Sequence, residues 1–325
     1  MKQSFHRIFS IMRKKRTLLF SLKLAISIPL TWWVLSRVNI RDSAEKIENL
    51  DLSWGIPALI CFLFIILIGG LRWYIFYRAL SRTVSLDFLM KINFSATFLG
   101  QVLPAGIGSD AAKIWFLSRK ERKLSVCISS VILDRLIGLA SLLILIAIFI
   151  PISFTYISNE DAKYAIIIAL VCGGLGFVFL LFLACLPNLF KNLKIMASIA
   201  NHINFARKEG LSIKPVFFSL LLSFFLHLMA VLVVKFLANS IGLEIDFILC
   251  LALIPTVMLI ATLPISLAGW GIREGAMVTA FSYVDIIPSE ALALSVLFGL
   301  LTIIASTPGA ITWILQTKLL KRNAN

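Results

Sequence analysis

Charge is what this sequence has least of. Asp, Glu, Lys and Arg make up 14% of its 325 residues, while 60% are hydrophobic, and a soluble protein carries about a quarter charged residues. A soluble globular domain is therefore excluded. There are three histidines, His6, His202 and His227, too scattered to form a ligand cluster. The five cysteines, Cys61, Cys127, Cys172, Cys185 and Cys250, all lie in apolar segments with no Cys-x-x-Cys among them. They imply neither a disulfide framework nor a metal cage. No Asp-x-Asp pair offers a carboxylate set for metal-assisted sugar transfer, and no Walker A motif supports pumping driven by ATP hydrolysis. No catalytic residue, cofactor or metal is expected.

What the chain has instead is long uncharged runs: 53–71, 92–109, 136–159, 164–190, 215–234, 247–272 and 291–317. A spanning helix needs about 20 apolar residues, so most of these are long enough to cross a bilayer. The basic N-terminus precedes an apolar run from Thr17 to about Ser36 with no clear cleavage site, which reads as a retained first span. Segments 1–16, 78–91, 110–123, 187–215 and 318–325 are net basic; 37–51, 159–163, 235–246 and 285–290 are net acidic. Loops rich in Lys and Arg stay in the cytoplasm, which predicts both termini inside and a multi-pass protein of the cytoplasmic membrane. Nucleic acid is not an expected partner despite the net charge of +15.

Two segments do not fit as simple crossings. Residues 88–109 have basic loops on both sides and 247–284 have acidic loops on both sides. Each is expected to be a re-entrant hairpin that enters and returns on one side. The predicted fold is an all-α bundle: spans 17–36, 53–77, 124–150, 164–186, 216–238 and 291–317, with hairpins at 88–109 and 247–284. The chain then forms one integral membrane domain, residues 1–325, with an inverted repeat of about 17–150 and 164–317, as is common in secondary transporters. In the connector 187–215, Leu189, Leu193, Met196, Ala200 and Ile203 recur at helical spacing, while Lys191, Lys194 and His202 fall largely off that stripe. That pattern predicts an amphipathic helix on the inner leaflet.

The hairpins carry related motifs, LPAGIGSD (103–110) and LPISLAGWGIRE (263–274). Non-helical backbone inside a bilayer persists only when buried in protein or lining a wet cavity. Helices restarting near Ser109 and Ile272 would aim their positive N-terminal ends into such a cavity, with Lys113 on the first turn of one and Arg273 on the other. The ligand inferred is anionic, most simply a phosphate. Residues adjacent on a helix diverge by about 100°, so Arg273 and Glu274 are each expected to need another partner. Asp134-Arg135, about halfway along its span, supplies candidates, and either is expected to meet the opposite charge of Arg273 or Glu274 near the midplane. Arg72 and Lys23 are expected to snorkel to headgroups. Trp32, Trp33, Trp54, Trp73, Trp115 and Trp313 are expected to form an interfacial belt, and Trp270 either lines the cavity or packs. The candidate headgroup site is Gly106, Gly108, Ser109, Asp110, Lys113, Asp134, Arg135, Gly269, Trp270, Gly271, Arg273 and Glu274. For each of these, structural packing is the competing reading.

LPAGIGSDAAKIWFL (103–117), VILDRLIGL (131–139) and LPISLAGWGIREGAM (263–277), in that order, resemble the lysylphosphatidylglycerol synthase transmembrane region, also called the flippase-like family. Pro104, Gly106, Gly108 and Asp110 match the first family motif, with departures at Ala105, Ser109 and Lys113. Asp134-Arg135 matches the second. Gly269, Gly271, Arg273 and Glu274 match the third, where Ala268 replaces a glycine. The resemblance implies movement of an anionic phospholipid or polyprenyl-linked glycolipid between leaflets. A membrane-embedded glycosyltransferase and an accessory subunit of envelope lipid synthesis are the alternatives. In bifunctional relatives a soluble aminoacyl-transferase domain follows, and none is expected after Asn325. Membrane lipids are the expected partners; a lipid-modifying enzyme and a second copy of the chain stay open.

Overall fold

A computed structural model describes residues 40–102, 108–185, 194–209, 211–263 and 270–322, and these residues are helical, with no strand among them. In chain order the helices are α1 (Ile40–Glu48), α2 (Leu52–Leu80), α3 (Leu86–Val102), α4 (Gly108–Leu117), α5 (Leu124–Tyr156) and α6 (Glu160–Cys185). There follow α7 (Lys194–Lys208), α8 (Ile213–Ser240), α9 (Phe247–Ala261), α10 (Ile272–Ser282), α11 (Pro288–Ser306) and α12 (Pro308–Arg322).

Among the described residues five stretches are long and apolar enough to cross a membrane: Leu52–Leu80, Leu124–Tyr156, Glu160–Phe182, Ile213–Ser240 and Pro288–Gln316. Their backbones must be helical because a bilayer core offers no water to pair N–H and C=O groups. At 1.5 Å per residue α2, α5 and α8 are each more than about 40 Å long, enough to clear a hydrocarbon core of about 30 Å. The chain is a multi-pass helical membrane protein. The expected span 17–36, with Lys23, lies outside the described residues.

Where hairpins are expected, the described residues form two helix pairs, and 103–107 and 264–269 between their members lie outside the described residues. α3 packs along α4 and α9 along α10. The packing runs in parallel through the two halves. α2 lies against α8 over the most extensive helix contact, α3 lies against α12, and α9 lies against α5. α4 touches α5 as α10 touches α11. Each hairpin's first arm thus rests on the last crossing of the opposite half.

The last span is not one element. Thr307 ends α11 and Pro308 begins α12, since proline has no N–H to continue the ladder. This junction lets α12 settle onto α3. A Cβ at Gly309 would collide with the Phe94 carbonyl, so only glycine permits the approach, and Ser95 Oγ meets Thr312 Oγ1 at 2.8 Å. A short polar helix, α1, was not foreseen. It is tied to the start of α11 by Ser43 Oγ donating to the Ser289 carbonyl at 2.9 Å and by Lys46 Nζ to Glu290 Oε1 at 2.9 Å.

The bundle therefore has an acidic end, built by α1, Asp51 and the starts of α9 and α11, and a basic end. At the basic end the loop after α4 is fastened by Glu121, which is 5% exposed. Tyr77 Oη, Ser81 Oγ and Thr83 Oγ1 donate to its Oε2 at 3.0, 2.7 and 2.6 Å, and the Lys123 N–H donates to Oε1 at 3.1 Å. Burial alone would raise the carboxyl's pKa; the three hydroxyls and the backbone N–H outweigh it and hold the group at about 2. Helix α7, where the amphipathic connector was expected, packs on α5 and α6 with Ile203 and Ala206 buried. His202 is not off the packed side: its Nδ1 lies 3.0 Å from Ser129 Oγ of α5. Leu189 and Leu193 of the proposed stripe lie outside the described residues.

Candidate functional site

Along α2, eight residues separate Arg72 from the basic end of the helix; along α5, ten separate Asp134 from Leu124. These are depths of about 12 and 15 Å. At that level Arg72 Nε donates to Asp134 Oδ1 at 2.7 Å, and Arg72 Nη1 to Ser223 Oγ of α8 at 2.9 Å. Gly138, one turn beyond Asp134, makes the room: a Cβ there would lie 3.2 Å from Arg72 Nη1. Snorkelling is thus overturned for Arg72, whose guanidinium is turned into the bundle by the Asp134 carboxylate. His227 adjoins the same glycine, with Nε2 3.1 Å from the Gly138 carbonyl oxygen and 3.1 Å from Ser141 Oγ.

The first hairpin adds a second cation. Lys113 of α4, 7% exposed, places Nζ 3.8 Å from Asp134 Oδ2 and 4.9 Å from the centre of the Trp73 ring. Trp73 is itself fully buried, with Nε1 donating to Ser130 Oγ at 3.1 Å, so it is a wall of the site and no part of an interfacial belt. Asp134 is 4% exposed and serves both Arg72 and Lys113. Two basic side chains share one carboxylate, so the buried cluster holds one basic group more than acidic ones.

Arg135 points away from this centre, as sequence neighbours on a helix do. Its Nε donates to Asp110 Oδ1 and Oδ2 at 3.0 and 2.9 Å, and its Nη2 to Asp110 Oδ1 at 2.7 Å and Ser109 Oγ at 3.1 Å. The Arg135 side chain is 54% exposed. This fork–fork pair locks the restart of α4 to α5.

At the second hairpin Gly271 caps α10 with φ +86°, a conformation that favours glycine. Glu274, 4% exposed, turns back over the helix start and accepts from the Gly271 N–H at 2.5 Å. Arg273 Nη2 donates to Glu274 Oε1 at 2.7 Å, its Nε donates to Ser295 Oγ at 3.1 Å, and Ser295 Oγ donates to Glu274 Oε1 at 3.2 Å. The guanidinium lies 4.9 Å from the Trp270 ring centre and 5.8 Å from that of Phe298. The expected pairing of Asp134 or Arg135 with Arg273 or Glu274 is overturned. The ion pairs close within each hairpin's own surroundings. Arg273 and Glu274 reach each other because the glutamate folds back to cap the helix, where the long arginine side chain meets it at Ser295.

The structure therefore gathers Lys113 and Asp134 with Arg72, Ser223 and His227, and gathers Ser109 and Asp110 with Arg135. Gly108 starts α4 and is buried. Trp270, Gly271, Arg273 and Glu274 form a separate, charge-neutral group. Gly106 and Gly269 lie outside the described residues. Arg72 was assigned to snorkelling although a charge inside an apolar run is the usual mark of an intramembrane site; His227, an imidazole within an uncharged run, was passed over.

A family model described as "Lysylphosphatidylglycerol synthase TM region" matches residues 20–309. No curated protein and no solved structure matches the chain.

Proposed function

The chain belongs to the family of the lysylphosphatidylglycerol synthase transmembrane region, and from that premise, which makes it an integral membrane protein of lipid metabolism or transport, we propose that it passes a phosphate-bearing lipid headgroup between leaflets. The lipid would be an anionic phospholipid or a polyprenyl-linked glycolipid, its chains remaining in the bilayer.

The observation that carries this reading is the unequal charge at Asp134. A buried cation without its own counter-ion is costly, and Arg72 and Lys113 have one carboxylate between them. A phosphate diester supplies the missing negative charge. It would neutralise the centre while offering oxygens to Lys113 and to the guanidinium N–H groups not used by Asp134 and Ser223. Trp73 and the first hairpin would keep that centre out of bulk lipid. Arg135, half-exposed, and Asp110, partly buried, would position the hairpin's restart. The neutral Arg273–Glu274–Ser295 group would stiffen the second hairpin. The matched packing of the two halves is consistent with an inverted repeat, the architecture expected when a central site opens alternately to the two sides. The positive-inside rule would put the basic end in the cytoplasm.

The test is leaflet-resolved lipid movement. Protein reconstituted with a headgroup-labelled phosphatidylglycerol or a polyprenyl phosphate should speed the loss of leaflet asymmetry over protein-free vesicles, and Lys113→Met should cut the acceleration about tenfold or more. Unchanged asymmetry for every anionic lipid tried, with protein folded and inserted, would refute the proposal.

A further inference from the structure

A second basic site lies away from the buried centre. At the basic end, a cavity of about 620 Å³ opens between the last turns of α2 and the first turn of α8, lined by Tyr74, Arg78, Ala79, Arg82, Ser212 and Pro215 among others. Arg78 Nη1 donates to Tyr74 Oη at 3.0 Å, which aims the guanidinium along the wall. Among the described residues no carboxylate pairs with Arg78 or Arg82, and none lines the cavity. Ser212, the N-cap of α8, makes no side-chain capping bond. Ile75, Ala79, Leu80 and Pro215 give the cavity an apolar part, and Ser81, whose hydroxyl donates to Glu121, adds a polar edge.

Two exposed arginines lining one concavity, with no carboxylate in its lining, suit an anion with several oxygens, such as a phosphate. The apolar walls select a phosphate that carries hydrocarbon. A row of serines runs along α8 from the cavity towards the buried centre. Ser212, Ser219 and Ser223 recur at spacings of seven and four on one face of α8. Ser219 Oγ is buried with no hydrogen-bond partner, and Ser223 Oγ receives Arg72. An unpartnered hydroxyl inside the bilayer is a cost that a passing acceptor would remove.

We infer that this cavity docks the phosphate of an anionic phospholipid from the leaflet at the basic end, on Arg78 and Arg82, and thereby loads the buried centre. Its lipid occupant rests on the transport reading above; the binding does not require movement, so the two can fail separately.

The test uses the full chain in phosphatidylcholine nanodiscs with or without phosphatidylglycerol, and native mass spectrometry reads the lipid retained. Retention of phosphatidylglycerol should weaken about tenfold in the double variant Arg78→Gln/Arg82→Gln. It should also weaken in Ala79→Leu, which fills the cavity and leaves both cations. The control Arg41→Gln/Lys163→Gln, an equal loss of charge at the acidic end, should match the parent. Unchanged retention in the first double variant, or an equal fall in the control, overturns the site. Inorganic phosphate added to phosphatidylcholine-only discs separates the sources: binding there as tight as that of phosphatidylglycerol overturns the lipid occupant. If retention follows the cavity while no lipid changes leaflet, the docking site stands and the transport reading falls. If the Arg78→Gln/Arg82→Gln variant loses retention yet moves lipid at the parent rate, the loading role is overturned.

Discussion

Asp134 stands between two cations, 2.7 Å from Arg72 Nε and 3.8 Å from Lys113 Nζ, and the removal of each member has a different electrostatic consequence. Asp134→Ala leaves two buried cations with no carboxylate and should cost about 3–5 kcal/mol, the range for orphaning a buried charge. Arg72→Ala leaves Asp134 balanced by Lys113 and should cost distinctly less. Thermal unfolding in detergent ranks the two variants; the reverse order would contradict the shared-carboxylate arrangement.

Lys113→Met separates stability from function. It removes the surplus charge and keeps an apolar stem over Trp73, so the unfolding temperature should equal or exceed that of the parent. Lipid transfer should fall about tenfold or more, the equivalent of one lost charge-assisted contact. A clear drop in unfolding temperature would mean that Lys113 is needed for folding.

Three glycines give a graded packing test. Gly309→Ala drives a methyl against the Phe94 carbonyl, and Gly299→Ala drives one against Arg273 Nη2 and the Trp270 ring. Each should destabilise by about 1–3 kcal/mol, the first more because backbone cannot rotate away. Gly69→Ala meets nothing within 4 Å and should stabilise by about 0.5–1 kcal/mol through helix propensity. Melting curves of the three variants check the order.

Glu121 predicts a pH dependence. Its carboxyl is held at about 2 in the folded chain against 4.5 ordinarily. A depressed folded pKa contributes stability that is complete above the unfolded value and lost as pH falls from about 4.5 towards 2. That contribution is about 3 kcal/mol. Glu121→Gln should melt well below the parent at pH 7, and the two curves should converge as pH approaches 2. A gap independent of pH would show that the side chain's shape, and not its charge, holds the loop.

Much of the bundle was legible in the sequence because long uncharged runs admit one backbone solution in a bilayer, and Pro and Gly mark where that solution stops. The breaks after α3 and α9 are of this kind. Pairing was not legible. A run of apolar residues fixes how deep Arg72 lies but not its azimuth, and at about 12 Å from the helix end an arginine can turn outward or inward. Gly138 decides it, from another helix. The angular rule for neighbours separates Asp134 from Arg135 and yet fails for Arg273 and Glu274, because a carboxylate near a helix start is drawn back to the free N–H groups. Helix α1 escaped notice because its residues are polar and its packing partner, the start of α11, is distant in sequence.

The hydroxyl cradle around Glu121 has a further effect at the membrane surface. Glu121 lies between Lys120 and Arg122 in sequence, yet it spends its charge on Tyr77, Ser81 and Thr83. The neighbouring cations are left to the aromatic rings beside them, Arg119 over Trp115 at 4.7 Å and Lys120 over Phe88 at 4.1 Å. With their acid sequestered, these cations keep their full attraction for an anionic leaflet, worth about 1 kcal/mol for each residue near the surface. The loop is thus an electrostatic keel, setting how deeply that end of the bundle rides among the headgroups.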